Sequence, residues 1–431
     1  MSDAHAHSIA FVRETELPPA PPPTAETGAV KWVRENLFSS IFNTIMTILG
    51  LLIVLYLLSG LIPWIVNGTW EGASIRDCRE TLQGSGGGCF AVLAERWPQL
   101  LFGFQYPDYL RWRPSLAFAL LFLAVPPVLF FKLPRWMLVI TALYPFVAYW
   151  LIWGGTAITP IFALIGVIAG YFAFTRVERQ GFVLGLLAGV IVAAIMWWIG
   201  GYIAAEEPGW LRIEAVPSRE MGGFMLNMIL GIVCVSLSIP IGIVLALGRQ
   251  SRLPVVKGFC VVFIEFVRGV PLITLLFVAN VVLAYFLPPG TNFDLIVRVI
   301  IMITMFSSAY IAEVIRGGLA ALPKGQYEAG DSLGLDYAQS MRLIVLPQAL
   351  KISIPGIVNV AVGLFKDTTL VSVISMFDLV GMIRGPILSS TAWTGVYWEL
   401  WAAACVLFFV VCYGISQYSQ WLERQLRTDH R

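Results

Sequence analysis

The chain has 431 residues, of which 58% are hydrophobic and only 13% charged, with a formal net charge of +2. Soluble domains run nearer half apolar and a quarter charged, so this balance excludes an ordinary soluble enzyme, a disordered chain and a collagen-like fibre. The small net charge offers no basic surface for nucleic acid, and the three histidines (His5, His7, His430) all lie in the terminal tails, which excludes a histidine triad or a histidine-held metal inside the apolar body.

Residues 1–36 begin with a proline-rich run, Leu17–Pro23, and read as a disordered tail. Apolar segments follow at about 37–66, 115–131, 136–153, 156–174 and 181–204. A polar break at Glu206–Gly223 precedes five more, at about 223–248, 271–288, 295–317, 355–375 and 398–418. Each is long enough to cross a bilayer, so the predicted fold class is an all-α polytopic membrane protein of about ten transmembrane helices. The division is an accessory five-helix region over 37–221, a core over 222–423 and a short tail over 424–431. No repeat relates the two halves, which argues against a transporter built from inverted repeats.

Lysine and arginine set the expected orientation. With the N-terminus inside, the inner connections carry Lys31 and Arg34, Lys132 and Arg135, Arg176 and Arg179, then Arg249, Arg252 and Lys257. Lys324, Arg342 and Lys351 follow, and Arg424, Arg427 and Arg431 close the chain. The outer connections carry Glu206, Glu207, Glu214, Glu220 and Asp294. A long outer loop over about 67–114 breaks the pattern with five arginines and holds Cys78 and Cys89, a possible disulfide if that side is oxidising. Cys234, Cys260, Cys405 and Cys412 sit in apolar runs and read as small core residues.

The most informative stretch is the inner connection over 322–348. Pro323 and Gly325 end the preceding helix, Gln326–Leu333 can form two turns, and Gly334 supplies a left-handed stop. Asp336 and Gln339 form a capping-box pair for a second short helix, which Pro347 is expected to end. The small residues Ala329 and Gly330 allow close approach to a partner, and Glu328 suits the helix N-terminus. Elsewhere, Asp367 falls in an apolar run, where an ionisable group marks a functional path. Counted from Pro355, it lies about 18 Å along its helix, near mid-bilayer. Asp367, Lys366 and Thr368 are therefore candidate substrate-path residues. Glu265 with Arg268, and Glu313 with Arg316, are i,i+3 pairs expected to form an ionic layer at an inner gate.

The pattern Glu328-Ala329, Gly334, Ile344, Leu346-Pro347 resembles the EAA loop of ABC importer permeases. Arg268-Gly-Val-Pro-Leu272, Ser308–Gly318 and Leu364-Phe-Lys-Asp-Thr-Thr-Leu-Val-Ser372 resemble motifs of the polar amino acid permeases (HisM/HisQ-like) within that family. The match covers about 222–421, and the N-terminal extension is similar to the general L-amino-acid (Aap/Bzt-type) branch. Three positions depart from the pattern: Gly330 replaces the second alanine of E-A-A, Thr369 replaces a serine, and Val270 replaces a threonine.

The resemblance implies a type I importer permease core, in the inner membrane of a bacterium, that imports L-amino acids. It implies that Tyr327, Glu328, Ala329, Gly330, Gly334 and Leu335 couple to an ATPase dimer. That partner would use the ATP and Mg²⁺, this chain binding no cofactor and carrying no G-x-x-x-x-G-K-[ST] loop. It further implies a sister permease rather than a second copy, a periplasmic amino-acid-binding protein, and cytoplasmic termini. The competing reading is a secondary transporter or channel driven by an ion gradient.

Overall fold

The computed structural model describes residues 28–427, apart from 131, 207–208, 210–211 and 283–293. Among these every regular element is a helix, with isolated bridges in place of sheets. Contacts divide the chain into two compact units, residues 1–69 with 82–88, and residues 70–81 with 89–431. This division falls elsewhere than the 221/222 boundary expected from composition.

In the first unit, α1 (Gly28–Asn36) occupies a stretch expected to be disordered, and residues 1–27 of that tail lie outside the described residues. The reason is local: Lys31 and Glu35 pair across one turn at 3.8 Å, while Val30 and Val33 share a face. After it, α2 (Ile41–Val66) opens on Ser40, whose hydroxyl accepts the N–H of Asn43, and none of its residues is buried. A 26-residue apolar helix of this kind is suited to lipid on every side.

The loop expected over 67–114, most of which belongs to the second unit, is largely helical: α3 (Ile75–Leu82) and α4 (Ala91–Phe102) lead into α5 (Trp112–Ala124). The apolar run then gives α6 (Leu138–Trp153), α7 (Ile158–Val177) and α8 (Phe182–Glu206). In the pair α7 and α8, a Cβ added at Gly170 would lie 2.7 Å from the carbonyl of Gly189, so only small residues allow this approach.

The later half contains α9 (Gly223–Arg249), α10 (Pro254–Gly269) and α11 (Leu272–Phe277). After α12 (Leu295–Ala320) come the short α13 (Gly325–Ser332) and α14 (Tyr337–Ser340). The chain closes with α15 (Leu346–Asp367), α16 (Leu379–Met382) and α17 (Trp398–Arg427).

Among the described residues nine helical elements are long and apolar enough to cross a membrane, or ten when α10 and α11, bent by 102°, count as one broken span. The expected segment at 271–288 is therefore the second arm of a broken element, described only to Val282. Pro271, which cannot donate to a helix ladder, stands at the break.

Pro347 does not end a helix. It sits in the first turn of α15, where its missing N–H costs nothing, and a π turn over Met341–Val345 joins α14 to α15. The result is one element over Tyr337–Ile374, so the second short helix is the foot of the next span. The three larger apolar clusters of this unit each join distant elements. One joins Tyr106, Leu110 and Leu151 to Leu226, Ile303 and Leu364; a second joins Cys78, Cys89 and Leu100 to Leu379, Trp393 and Leu400. The third joins Ala246, Ile264 and Ile315 to Met341, Val345 and Ala349.

Candidate functional site

The foot of the coupling span is built by local rules. Gly334 has φ +71°, a conformation that a Cβ resists. There the N–H of Leu335 donates to the carbonyl of Gly330 at 3.2 Å and that of Gly334 to Asp331 at 3.0 Å. This is a Schellman stop for α13. The carboxylate of Asp336 accepts the N–H of Gln339 at 2.7 Å, and the Gln339 amide oxygen accepts the N–H of Asp336 at 3.2 Å, completing the expected capping box. Gln348 donates to Gln326 at 2.8 Å, tying α13 to the root of α15.

The six candidate coupling residues divide by exposure. Glu328, Ala329 and Gly334 face outward, Tyr327 and Leu335 are half-buried, and Gly330 is buried against α14. A Cβ at Gly330 would overlap the Ser340 hydroxyl and lie 3.1 Å from the Ser340 Cβ, so any side chain there would have to displace Ser340. Tyr327 packs on the cluster of Ile315, Met341 and Val345. Two residues outside the candidate coupling set are also exposed here: Leu333 at 72% and Tyr337 at 60%. Both are large side chains left exposed in an otherwise polar segment.

At this same end, the charges of α9, α10 and α12 meet. Arg249 donates to Glu265 at 2.8 Å and to Glu313 at 3.3 Å. Arg268 lies 3.9 Å from Glu265 and 3.8 Å from Glu313, with its guanidinium 5.5 Å from the Tyr310 ring centre. Arg316 donates to Glu313 through Nε at 2.7 Å and also through a terminal nitrogen. The four expected residues thus come together as one cross-helix network. Glu313 is its centre, meeting all three arginines, and Arg249, which the basic pattern alone assigns to a loop, is its strongest link to Glu265.

The expected substrate-path residues separate. Because the helix starts at Leu346 rather than Pro355, Asp367 is its last residue, about 30 Å along at 1.5 Å per residue. Phe365 packs against Gly231 and the Phe224 ring, which places this level within the first turns of α9, at the end opposite Arg249. Asp367 therefore stands at the far end of α15 rather than midway along it. Lys366 is exposed and Asp367 half-buried.

Thr368 is fully buried, donating to the Phe365 carbonyl at 2.7 Å and accepting from the Asn227 amide at 3.0 Å. Its hydroxyl is engaged on both sides, within a buried network that local sequence patterns do not show. Asn227 also donates to Asp378 at 3.1 Å and accepts the N–H of Leu379 at 3.1 Å. Asp378 accepts from the N–H of Gly381 at 2.9 Å and of Val380 at 3.3 Å, capping α16. Burial pushes its carboxyl up to about 6, against the Gly381, Asn227 and Val380 donors that pull it down. Polar residues inside apolar runs were the available signal.

Cys78 and Cys89 form a disulfide, with Cα atoms 5.7 Å apart. The N–H of Cys89 donates to the buried carboxylate of Glu399 at 2.8 Å, fastening the bridge to the start of α17. Among the described residues no cluster of His, Cys, Asp or Glu is placed to hold a metal.

Residues 238–428 match the family model described as "Binding-protein-dependent transport system inner membrane component". The chain is 49% identical to the glutamate/glutamine/aspartate/asparagine transport system permease protein BztC of Rhodobacter capsulatus, over 98% of this chain and 99% of that protein. It is 36% identical to the inner membrane amino-acid ABC transporter permease protein YhdY of Escherichia coli, over 95% and 96% respectively. A solved amino acid ABC transporter crystallised with histidines is 30% identical, with a TM-score of 0.42, over 47% of this chain and 92% of that chain. With two relatives matched end to end, the chain belongs to the inner membrane components of binding-protein-dependent transport systems, the multi-pass permease subunits of ABC importers.

Proposed function

We propose that this permease imports L-amino acids across a bacterial inner membrane with both of its termini in the cytoplasm. The name of one full-length relative, BztC, supports acidic amino acids and their amides as the substrates to try first. A separate pair of ATPase subunits binds the ATP and Mg²⁺, a sister permease completes the pore, and a periplasmic binding protein delivers the substrate. The disulfide between α3 and the turn before α4 supports an outer location for that loop, since such bonds persist in oxidising compartments.

The observation that carries the reading is the outer face of the foot. Glu328, Ala329, Leu333 and Tyr337 are all exposed along α13, its stop and the start of α14, in a foot packed from behind by Gly330 and Tyr327. That face docks on the ATPase. When nucleotide closes the ATPase pair, the foot moves, and the element Tyr337–Ile374 moves with it as one lever between two packings. The network of Arg249, Glu265, Arg268, Glu313 and Arg316 holds the inner ends of three helices together, so that the inner gate opens and closes as a body. At the outer end, half-buried Asp367 receives the α-ammonium of the substrate, with Lys366 beside it for a carboxylate.

The test is uptake of labelled glutamate and glutamine into vesicles holding the complete complex, for the wild type and for Glu328→Ala with Gly334→Pro. Loss of ATP-dependent uptake in the double variant supports the reading. Wild-type uptake in that variant, or uptake driven by an ion gradient without the ATPase, overturns it.

A further inference from the structure

The buried network around Asp378 stands where three parts of the chain cross backbone to backbone. The N–H of Gly223, at the start of α9, donates to the Phe377 carbonyl at 2.7 Å, and Gly223 pairs with Asp378 as a parallel bridge. A Cβ at Gly222 would lie 2.6 Å from the Phe377 carbonyl oxygen, and one at Gly103, just past α4, would lie 2.8 Å from the Gly222 Cα. The N-terminal extension, the first core helix and the end of the coupling span are therefore stacked with no side chain between them.

The side chains then lock the crossing. Three donors, the N–H groups of Gly381 and Val380 and the Asn227 amide, converge on the Asp378 carboxylate, which has no exposed surface. Asn227 reaches on to Thr368 and Leu379, so one amide touches the last turn of the span and both sides of the α16 cap. A buried ionisable group is costly where an apolar one would pack, and its best-attested use is to specify one arrangement among several.

The backbone beside it is also unusual. The span leaves its α-helix for a 3₁₀ turn at Thr368–Ile374, and Ser375 then has φ +65°, a left-handed conformation uncommon for a residue with a side chain. At the other end of the same element stands the π turn over Met341–Val345. The regular α15 between these two irregular turns is the lever, and the Asp378 network grips its far end.

We propose that Asp378 is a positioning residue for transport, acting through Asn227 and Thr368 to fasten the outer end of the coupling span to α9 and to α4 of the N-terminal extension. The inference rests on the reading of α13 as the ATPase contact. Movement of the foot is delivered to the outer end because the clasp holds there; with the clasp loosened, the lever turns without moving α4 and α9. The N-terminal extension is then a working part of the outer gate.

The experiment compares wild type, Asp378→Asn, Thr368→Val and the exchange variant Asn227→Asp with Asp378→Asn, each as the complete complex in vesicles. Uptake and ATP hydrolysis are measured on the same sample. An asparagine at 378 turns an N–H toward one of three donors; Thr368→Val is the milder variant and reads the same quantity if Asp378→Asn assembles poorly. The expected result is association with the ATPase and hydrolysis within about twofold of wild type, with uptake per ATP reduced about tenfold. The exchange variant restores an amide–carboxylate pair and is expected to recover much of that ratio.

Uptake and hydrolysis falling in proportion would mean a merely structural role and overturn the proposal, as would an unchanged ratio in both Asp378→Asn and Thr368→Val. Loss of ATPase association in Glu328→Ala tests the underlying reading of α13 separately, since Asp378 lies at the opposite end of the bundle.

Discussion

Replacing Gly330 with alanine and with leucine separates a docking foot from a passive connection. At position 330 a Cβ overlaps the Ser340 hydroxyl and stands 3.1 Å from the Ser340 Cβ and 3.8 Å from Ile344 Cδ1. Alanine gains about 1 kcal/mol in helix propensity over glycine. Against this, Ser340 must leave its rotamer, and the 3.1 Å approach must widen by a few tenths of an ångström, together costing about 1 kcal/mol. The two terms cancel, so Gly330→Ala is expected to transport within about twofold of wild type.

Leucine adds three further carbons toward Ser340 and Ile344, with an overpacking cost of about 1–3 kcal/mol. The strain is relieved when α13 lifts off α14, which at about 2 kcal/mol lowers occupancy of the docked arrangement about 30-fold. ATP-driven uptake in reconstituted vesicles, with ATPase co-purification on the same material, reads both substitutions. Gly330→Leu combined with Ser340→Gly returns space and is expected to recover part of the loss. Wild-type uptake and association in Gly330→Leu would refute the packing argument, and so would equal damage from alanine and leucine.

Glu313→Ala leaves Arg249, Arg268 and Arg316 facing Glu265 alone, and is expected to cost about 1–3 kcal/mol in thermal stability of the solubilised complex. Arg268→Ala is expected to cost less, because both of its ion pairs are near 4 Å. Replacing Cys78 and Cys89 with serine opens a loop of 11-residue separation and is expected to cost roughly 3 kcal/mol, read as a fall in melting temperature matched by reductant on wild type.

The raised carboxyl of Asp378 gives a pH dependence of definite sign. Its folded value of about 6 lies above the ordinary 3.8, so the folded chain holds the proton more tightly than the unfolded one. The stabilising contribution is complete below about pH 4 and is lost as pH rises through 6, about 3 kcal/mol in all. Melting temperatures from pH 4 to 7 are expected to show this fall in wild type relative to Asp378→Asn; parallel curves would contradict it.

Much of the architecture was legible because a bilayer leaves a simple record: apolar runs of span length, basic inner connections and a polar interruption at 322–348. The capping box and the Gly334 stop were legible because both are set by residues within a few positions of each other. What failed were features decided by a neighbour in space. Pro347 suits either a helix end or a first turn, and the π turn at Met341–Val345 that selected the second has no sequence mark. That error carried over to Asp367, whose depth was counted from the wrong start.

Thr368 looked like a substrate group because its partner, Asn227, lies 141 residues away. Arg249 looked like a loop charge because Glu265 and Glu313 reach it from other helices. The helices of the 67–114 loop were hidden by length alone, since α3 and α4 are too short and too mixed to read as spans.

The account depends on α13 touching the ATPase. A single cysteine placed at Glu328, in a chain whose other exposed cysteines are replaced, can be paired with cysteines scanned across the ATPase surface in the assembled complex. Crosslinking at Glu328 and Leu333, its yield changing when nucleotide is added, with none at Tyr202 on α8, is the predicted result. Crosslinking absent from Glu328 and Leu333, or labelling of Glu328 by an impermeant reagent applied from outside intact cells, would contradict it.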